Sequence, residues 1–386
     1  MTEPSPILVI CPDLRNSVTD GTLVDDMVGA LCARGLDVTV LDMTPATSPR
    51  TAVWDGVALV QLGGALPLVP RPLNRAVGIA RSALWALRQR RTFSRVLYFS
   101  PAFLSGIVPA VLRMRRLVGR TVYVLWDFFP IHQVQIGRLS GRLAPPLKLL
   151  EGLATRPADT ILVMTPRNEQ FLRAYFPNVV SDKEVGQLLP WGGNGLVKPK
   201  RPRHDEFTVV FGGQLVEGRG VETLLQACRI LQDRGRSVNC EIFGSGPQER
   251  RLRQLQESLD LQTVKFRGRV PRSEYLDEIA LCHVGVAVTI PGVTIPSFPS
   301  KMIDYARAGL AVVACLENTS DAGSIIERLG VGVAVTAGDP EGLASAMDGF
   351  HQQWSVGRLG DSAQRARDWY ESGLSATSAA QAVLEA

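Results

Sequence analysis

The chain has 386 residues, of which 45 % are hydrophobic and 20 % charged. Such a length fits two domains of ordinary size, and the composition excludes a disordered chain or a small fold that needs disulfides or metal to hold its core. The net charge of +5 is unevenly divided: residues 1–195 carry +7, residues 196–386 carry −2, and residues 71–120 hold eleven arginines and no acid.

The opening residues MTEPSP are acidic and proline-broken, so no secretory signal is expected there. Residues 96–112 and 279–300 lack Asp, Glu, Lys and Arg, but Pro and Gly interrupt both, and neither reads as a membrane-spanning helix. The apolar runs are short and rich in Val and Ile. In chain order they predict strands at 7–11, 38–41, 57–62, 96–99, 122–125 and 161–164. Between the first two, Val24, Val28 and Leu31 recur at i, i+4 and i+7, and Gly35 ends the helix. Leu73, Val77, Ala80, Leu84 and Leu87 form one face of a second helix, and Ile107, Val111, Met114 and Val118 repeat the pattern, both among arginines.

A composition break follows at Pro190-Trp191-Gly192-Gly193-Asn194 and the basic stretch 198–204, after which the pattern restarts. Strands are expected at 208–211, 240–243, 264–267, 284–289, 312–315 and 332–335. Val221, Leu224, Leu225, Cys228 and Leu231 mark a helix closed by Gly235. Continuous apolar strands alternating with amphipathic helices indicate parallel sheets covered on both faces, so the expected class is α/β with two doubly wound domains. In such sheets ligands bind beyond the carboxyl ends of the strands.

Three segments fall at such ends. Phe211-Gly212-Gly213-Gln214 runs through a glycine-rich loop to Arg219 and Gly220 at a helix start, a place suited to a diphosphate. Phe243-Gly244-Ser245-Gly246 is a G-x-G between strand and helix, and by itself reads as a turn. In Pro296-Ser297-Phe298-Pro299-Ser300-Lys301 a proline loop enters a short helix, with Lys301 a phosphate candidate and Asp304 a hydroxyl acceptor. Asp127, just past an apolar strand, suits the orientation of an acceptor hydroxyl, and His132 lies close by in sequence. The six cysteines, Cys11, Cys32, Cys228, Cys240, Cys282 and Cys315, form no C-x-x-C pair and read as reduced core thiols; the four histidines show no zinc spacing, and His283 reads as core.

Taken in order, GGQLVEGRGVETLLQA, IFGSGPQERRL, VKFRGRV and PSKMIDYARAGLAVVA resemble the C-terminal half of family 4 glycosyltransferases of the GT-B fold, over about residues 210–340. More loosely, Asp20-Gly21, RGLDVTVLD, VYVLWDFFP and Pro190-Trp191-Gly192-Gly193 resemble that family's N-terminal half and its interdomain link. The resemblance implies an acceptor-binding Rossmann-like domain over 1–195, a nucleotide-sugar-binding one over 196–360 facing it across a cleft, and a helix over 361–386 that crosses back. It places donor contacts at Gly212, Gly213, Gln214, Arg219, Gly244, Gly246, Arg269, Val270, Ser300, Lys301 and Asp304. Acceptor contacts fall at Asp20, Gly21 and Asp127, and catalytic roles at Asp127, His132, Arg219 and Lys301.

Within that pattern the family's phosphate-binding lysine falls on Arg219, its preceding arginine on Gln214, and the ribose-binding second glutamate on Asp304. The first glutamate of that pair falls on Pro296, a departure from the family. The implied reaction is transfer of a hexosyl or N-acetylhexosaminyl group, with retention and without metal or other cofactor. A UDP-sugar is favoured over a GDP-sugar. The implied acceptor is a glycan or a lipid-diphosphate-linked sugar in surface polysaccharide or glycolipid assembly. The arginine block of 71–120 suits an anionic membrane surface on the cytoplasmic side. Nucleic acid is disfavoured, because aromatic residues are 6 % and do not interleave with the basic ones. The competing expectations are a catalytically silent nucleotide-sugar-binding partner of another transferase, which Pro296 favours, and a GT-B-fold sugar-nucleotide epimerase.

Overall fold

The structure, a computed structural model, describes residues 6–11, 23–43, 57–64, 66 and 69–386, with the side chains of 71 and 72 left aside. The chain divides into two compact units, residues 1–189 with 376–386, and residues 190–375. In the first, β1 (Ile7–Cys11), β2 (Val38–Asp42), β3 (Ala58–Gln61), β4 (Phe93–Phe99), β5 (Val118–Leu125), β6 (Thr160–Val163) and β7 (Glu184–Gln187) form one sheet. Its order is β3-β2-β1-β4-β5-β6-β7, with every pairing parallel.

The second unit repeats the plan with β8 (Thr208–Gly212), β9 (Asn239–Phe243), β10 (Val264–Gly268), β11 (Val284–Val288), β12 (Ala311–Leu316) and β13 (Gly332–Thr336). The order is β10-β9-β8-β11-β12-β13, again parallel. The strand order reverses between β1 and β4 in one sheet and between β8 and β11 in the other. At such switch points the neighbouring crossovers leave on opposite faces and open a crevice.

The central strands β1, β2, β8, β11 and β12 are buried along their whole length, which is why their sequences are mainly apolar, with Thr39, Asp42 and Thr208 the polar exceptions. The strand missing from the sequence expectation is β7, whose residues EVGQ are polar and half-exposed at the sheet edge. An edge strand buries little, so hydrophobicity does not mark it. The boundary expected at 195/196 falls at 189/190. Trp191 is buried, Tyr370 donates its hydroxyl hydrogen to the Gly193 carbonyl, and Gly192 bridges to Ser375, so this linker belongs to the second unit. The returning tail is shorter than 361–386: helix Gly360–Gly373 packs on helix Lys301–Ala308, and only Ala376–Glu385 joins the first unit, against helix Leu23–Cys32.

The arginine-rich region differs from its sequence pattern in two ways. Helix Arg71–Arg88 buries small residues, Gly78, Ser82 and Ala86, and turns its apolar face outward, with Leu73, Leu84 and Leu87 about half exposed. Small residues on the buried side let this helix lie close to Ile107–Met114. Part of the arginine charge is also neutralised from outside the block, since Arg91, Arg113 and Arg120 pair with Asp37, Asp159 and Glu184.

In the second unit His283 stacks on Phe207 with ring centroids 5.7 Å apart, and its Nδ1 accepts the Thr208 N–H at 3.1 Å. Burial above all, then the charges of Arg203 and His204, lower its pKa to about 4. The unfolded chain takes up this proton near pH 6.5, so between the two values it holds one proton more than the folded chain. Stability contributed by the neutral ring is therefore complete above pH 6.5 and lost as pH falls towards 4, by about 1.4 kcal/mol per unit. Denaturant midpoints measured over that window fall with pH. His283→Asn keeps an acceptor for Thr208 and flattens the slope; an unaltered slope removes His283 as its source.

Candidate active site

The second unit assembles its candidate site around the switch point. β8 and β11 pair only at Val209 with Val284 and at Val210 with Gly285, then diverge. Tyr305, fully buried, fills the gap: its hydroxyl accepts the Gly212 N–H at 3.1 Å and donates to the Val286 carbonyl at 3.1 Å. Its ring lies where a side chain at Gly285 would project, with a Cβ there only 2.2 Å from Tyr305 Cγ. Gly212 is glycine for a related reason, because a Cβ would fall 2.0 Å from the Tyr275 hydroxyl.

Beyond β8 the loops are stitched backbone to backbone. Gly213 N–H donates to Phe243 O and Leu215 N–H to Ser245 O, both at 3.0 Å, and Gly244 N–H donates to Gly268 O at 2.8 Å. A Cβ on Gly244 would meet Gly213 O at 1.8 Å, and one on Gly246 would meet Leu215 O at 2.3 Å. These glycines thus permit close packing between loops. The expectation that the Gly212 and Gly213 N–H groups cradle a phosphate is corrected: both donate inside the protein, to Tyr305 and to Phe243. Gly220, at φ +65, starts helix Val221–Asp233 and packs against Thr289 O, which a Cβ would approach to 2.4 Å.

The two expected cations do converge. Lys301 opens helix Lys301–Ala308, and its ammonium lies 3.7 Å from the Phe211 ring centroid and close under Gly213. Although the residue retains some exposure, burial of the ammonium and then the neighbouring Arg219 guanidinium push its pKa well below the usual lysine value. Arg219 itself is exposed. Like charges brought together in this way, with no carboxylate pairing Lys301 among the described residues, favour an arriving anion. Gln214 and Ser300 are exposed on the flanking loops, and Arg269 and Val270 follow β10, exposed and half-buried respectively.

Asp304 departs from the expected open carboxylate. It is 8 % exposed, and Arg272 grips it with two hydrogen bonds, Nη2–Oδ1 2.7 Å and Nη1–Oδ2 3.2 Å. The pair joins helix Arg272–Ile279 to helix Lys301–Ala308. Pro296 is buried, and beside it stands a carboxylate that the sequence reading missed. Glu317, 6 % exposed just past β12, accepts hydrogen bonds from Thr289 Oγ1 and Ser297 Oγ, each at 2.6 Å. It ties the end of β11 to the proline loop. An acid directly after an apolar strand was its only signal.

In the first unit Asp127 is exposed just beyond β5, and His132 is half-buried in helix Ile131–Gln135 one turn on. Ser100 Oγ accepts the N–H groups of Trp126 at 3.1 Å and Asp127 at 3.3 Å, fastening this segment to the end of β4. A second missed acid supports it. Glu151, 1 % exposed, accepts the N–H groups of Ala102 at 2.7 Å and Phe103 at 2.9 Å and the Tyr123 hydroxyl at 2.8 Å. Burial raises its pKa while those donors oppose the rise. Asp20 and Gly21, expected to meet the acceptor, lie outside the described residues.

The family described as Glycosyl transferases group 1 matches residues 206–353. The protein named for colanic acid biosynthesis as glycosyltransferase WcaL in Escherichia coli (strain K12) is 24 % identical over 256 residues, 61 % of this chain and 62 % of the relative. The chain thus aligns with about three-fifths of that relative's length. Among solved structures, sucrose-phosphate synthase from Thermosynechococcus elongatus superposes with a TM-score of 0.76 at 18 % identity, covering 99 % of this chain and 98 % of the other. WaaG, a glycosyltransferase involved in lipopolysaccharide biosynthesis, gives 0.67 at 14 %, covering 97 % and 98 %. Two parallel, doubly wound units and these neighbours show the GT-B fold, and within it residues 206–353 match the family of glycosyl transferases group 1.

Proposed function

We propose that this protein transfers a glycosyl group from a nucleoside diphosphate sugar to an acceptor hydroxyl, in the assembly of a surface polysaccharide or glycolipid. The observation that carries the reading is the convergence of Lys301 and Arg219 at the β8/β11 switch point, with Lys301 enclosed and without a carboxylate partner among the described residues. In this reading the anomeric C–O bond to the diphosphate breaks, the acceptor oxygen takes its place with retention, and the hydroxyl proton passes to the departing diphosphate. Lys301, Arg219 and the start of helix Val221–Asp233 stabilise the charge that develops on the leaving diphosphate, a role in which fixed cations suffice without a metal. Asp127 orients the acceptor hydroxyl, with His132 at its side. The donor ribose meets Asp304 through the oxygen lone pairs that Arg272 leaves open. Glu317 holds the loop in which the family's first glutamate is replaced by Pro296. A UDP-linked hexose or N-acetylhexosamine is the favoured donor, and transfer assays over a panel of nucleotide sugars test the reading directly. No transfer and no hydrolysis, with UDP still bound, supports the silent-partner alternative.

The acceptor in this proposal is lipid-linked and reached from an anionic membrane surface. Of the twelve most exposed large hydrophobic residues among the described ones, ten belong to the first unit, including Leu73, Leu84, Leu87, Met114, Leu149 and Leu153. Helix Ala144–Thr155 buries Glu151 against the Asp127 scaffold and turns Leu149, Leu150 and Leu153 outward, beside Lys148 and Arg156. Exposed leucines flanked by cations match a headgroup region. Among the described residues no helix is long and apolar enough to cross a membrane.

Three outcomes follow. UDP binding takes up protons over the pH range in which the lowered Lys301 ammonium titrates, because the diphosphate favours its charged form; calorimetry in buffers of different ionisation enthalpy, repeated across pH, reads it. Lys301→Met abolishes that uptake, and it and Arg219→Ala each weaken UDP at least about ten-fold, the scale of a charged hydrogen bond. Buffer-independent enthalpies or unchanged affinities remove the diphosphate assignment.

Asp304→Asn breaks the Arg272 pair and lowers stability by about 2–3 kcal/mol, below the 3–5 of a fully enclosed pair. It also weakens UDP more than a 2′,3′-dideoxy analogue. Equal losses for both ligands restrict Asp304 to a structural role.

Sedimentation with liposomes shows salt-sensitive retention on anionic vesicles, reduced in a Leu84→Glu, Leu149→Glu double variant. Equal retention on neutral vesicles, or no change in the variant, rules out this surface.

A further inference from the structure

Within the second unit, three side chains meet that the transfer reaction does not use. His204 leads into β8, Glu241 lies mid-way along β9, and Cys282 directly precedes His283 and β11. Their donor atoms, one from each residue, all lie within 4.8 Å of one another. Glu241 is 7 % exposed, and its Oε2 is sealed from solvent with no hydrogen-bond partner. His204 Nε2 is likewise sealed and unpartnered. A buried carboxylate oxygen and a buried imidazole nitrogen left unpaired are each costly, and such groups are ordinarily paired or bound to a metal.

We propose that His204, Glu241 and Cys282 form a zinc-binding site. Imidazole, carboxylate and thiolate together are the donor set of Zn²⁺, whereas Mg²⁺ and Ca²⁺ take oxygen ligands. Tetrahedral bonds of about 2.0–2.3 Å set neighbouring donors about 3.5 Å apart, so the side chains close by about 1 Å around the ion, and water takes the fourth position. As the Zn–S bond forms, the Cys282 thiol proton leaves to solvent. The centre is then electroneutral, one dication against a thiolate and a carboxylate. That matters because Arg203 and Arg267 act electrostatically on Cys282. Both are already engaged, Arg203 Nη2 donating to Gly309 O at 3.0 Å and Arg267 Nη2 to Glu278 at 3.5 Å, and a neutral centre does not repel them.

The backbone around the donors is fixed. His204 N–H donates to Leu281 O and Cys282 N–H to Ile279 O, both at 3.0 Å, while Glu241 sits in ladder register with Val210 and Lys265. Two of the donors enter from just before strands β8 and β11, whereas the donor-sugar loops follow the ends of those strands. The ion therefore joins three distant chain segments at the opposite end of the sheet from the transfer chemistry, and its effect falls on stability.

The test uses the full-length protein, stripped of metal under reducing conditions and titrated with Co²⁺ as a spectroscopic probe. The expected result is one tetrahedral Co²⁺ per chain with a thiolate-to-metal charge-transfer band, displaced by Zn²⁺, which also raises the melting temperature. Cys282→Ser removes the band, and Glu241→Gln weakens the metal by more than about ten-fold, the lower bound for losing even a supporting group. His204→Gln, at a half-exposed position, gives the same weakening where the buried variants do not fold. UDP affinity is unchanged by the metal. Absence of a charge-transfer band in the unaltered protein, its survival in Cys282→Ser, or unweakened binding in His204→Gln overturns the site.

Discussion

The switch point of the second unit depends on one hydroxyl. Parallel strands that diverge at a switch point leave backbone groups without ladder partners, and buried groups of that kind must be satisfied. Tyr305 does this for β8 and β11 by accepting from Gly212 and donating to Val286. Its ring requires a glycine at 285, and the neighbouring Tyr275 requires one at 212. Because the strand ends are fixed in this way, the loop after β8 can lie against the loop after β9 with almost no side chain between them. The crevice floor is then made of backbone, and the charged groups at its edge come from the start of helix Lys301–Ala308 and from the loop that leads into helix Val221–Asp233.

The charged groups at that edge are poised by opposed effects. Lys301 loses solvent and gains Arg219 as a neighbour, and both changes work against its positive charge. The Phe211 ring face under the ammonium offsets part of that penalty. In the proposed function the arriving diphosphate removes the remainder. Asp304 and Glu317 are the opposite case. Each is held by hydrogen-bond donors of the protein, and each links two elements of the site's frame.

The first unit follows the same logic with different means. Glu151 turns a buried carboxylate into a clamp for the loop after β4, and Ser100 passes that order on to Asp127. The opposite side of the same helix presents leucines to the outside. One element thus joins an exposed apolar surface to the segment that bears Asp127.

The strands of both sheets were legible from the sequence wherever they are central, because burial on both faces favours short runs rich in Val, Ile, Leu and aromatic residues. Edge strand β7 was not, since its residues face water on one side. The order of glycine loop, G-x-G and P-S-K helix led to the β8/β11 switch point, and the residue types of Lys301 and Arg219 named the cations that meet there. Only the tertiary structure decided what the glycines are for. The N–H groups of Gly212, Gly213 and Gly244 donate inside the protein, to Tyr305, Phe243 and Gly268, a matter of which element lies next to which. It likewise decided that Asp304 is paired with Arg272, thirty-two positions away, and that helix Arg71–Arg88 buries its small residues and exposes its leucines. Periodicity shows that a helix has two faces. Which face meets the core is set by how closely its neighbour must approach, and that distance is written in no single segment of the chain.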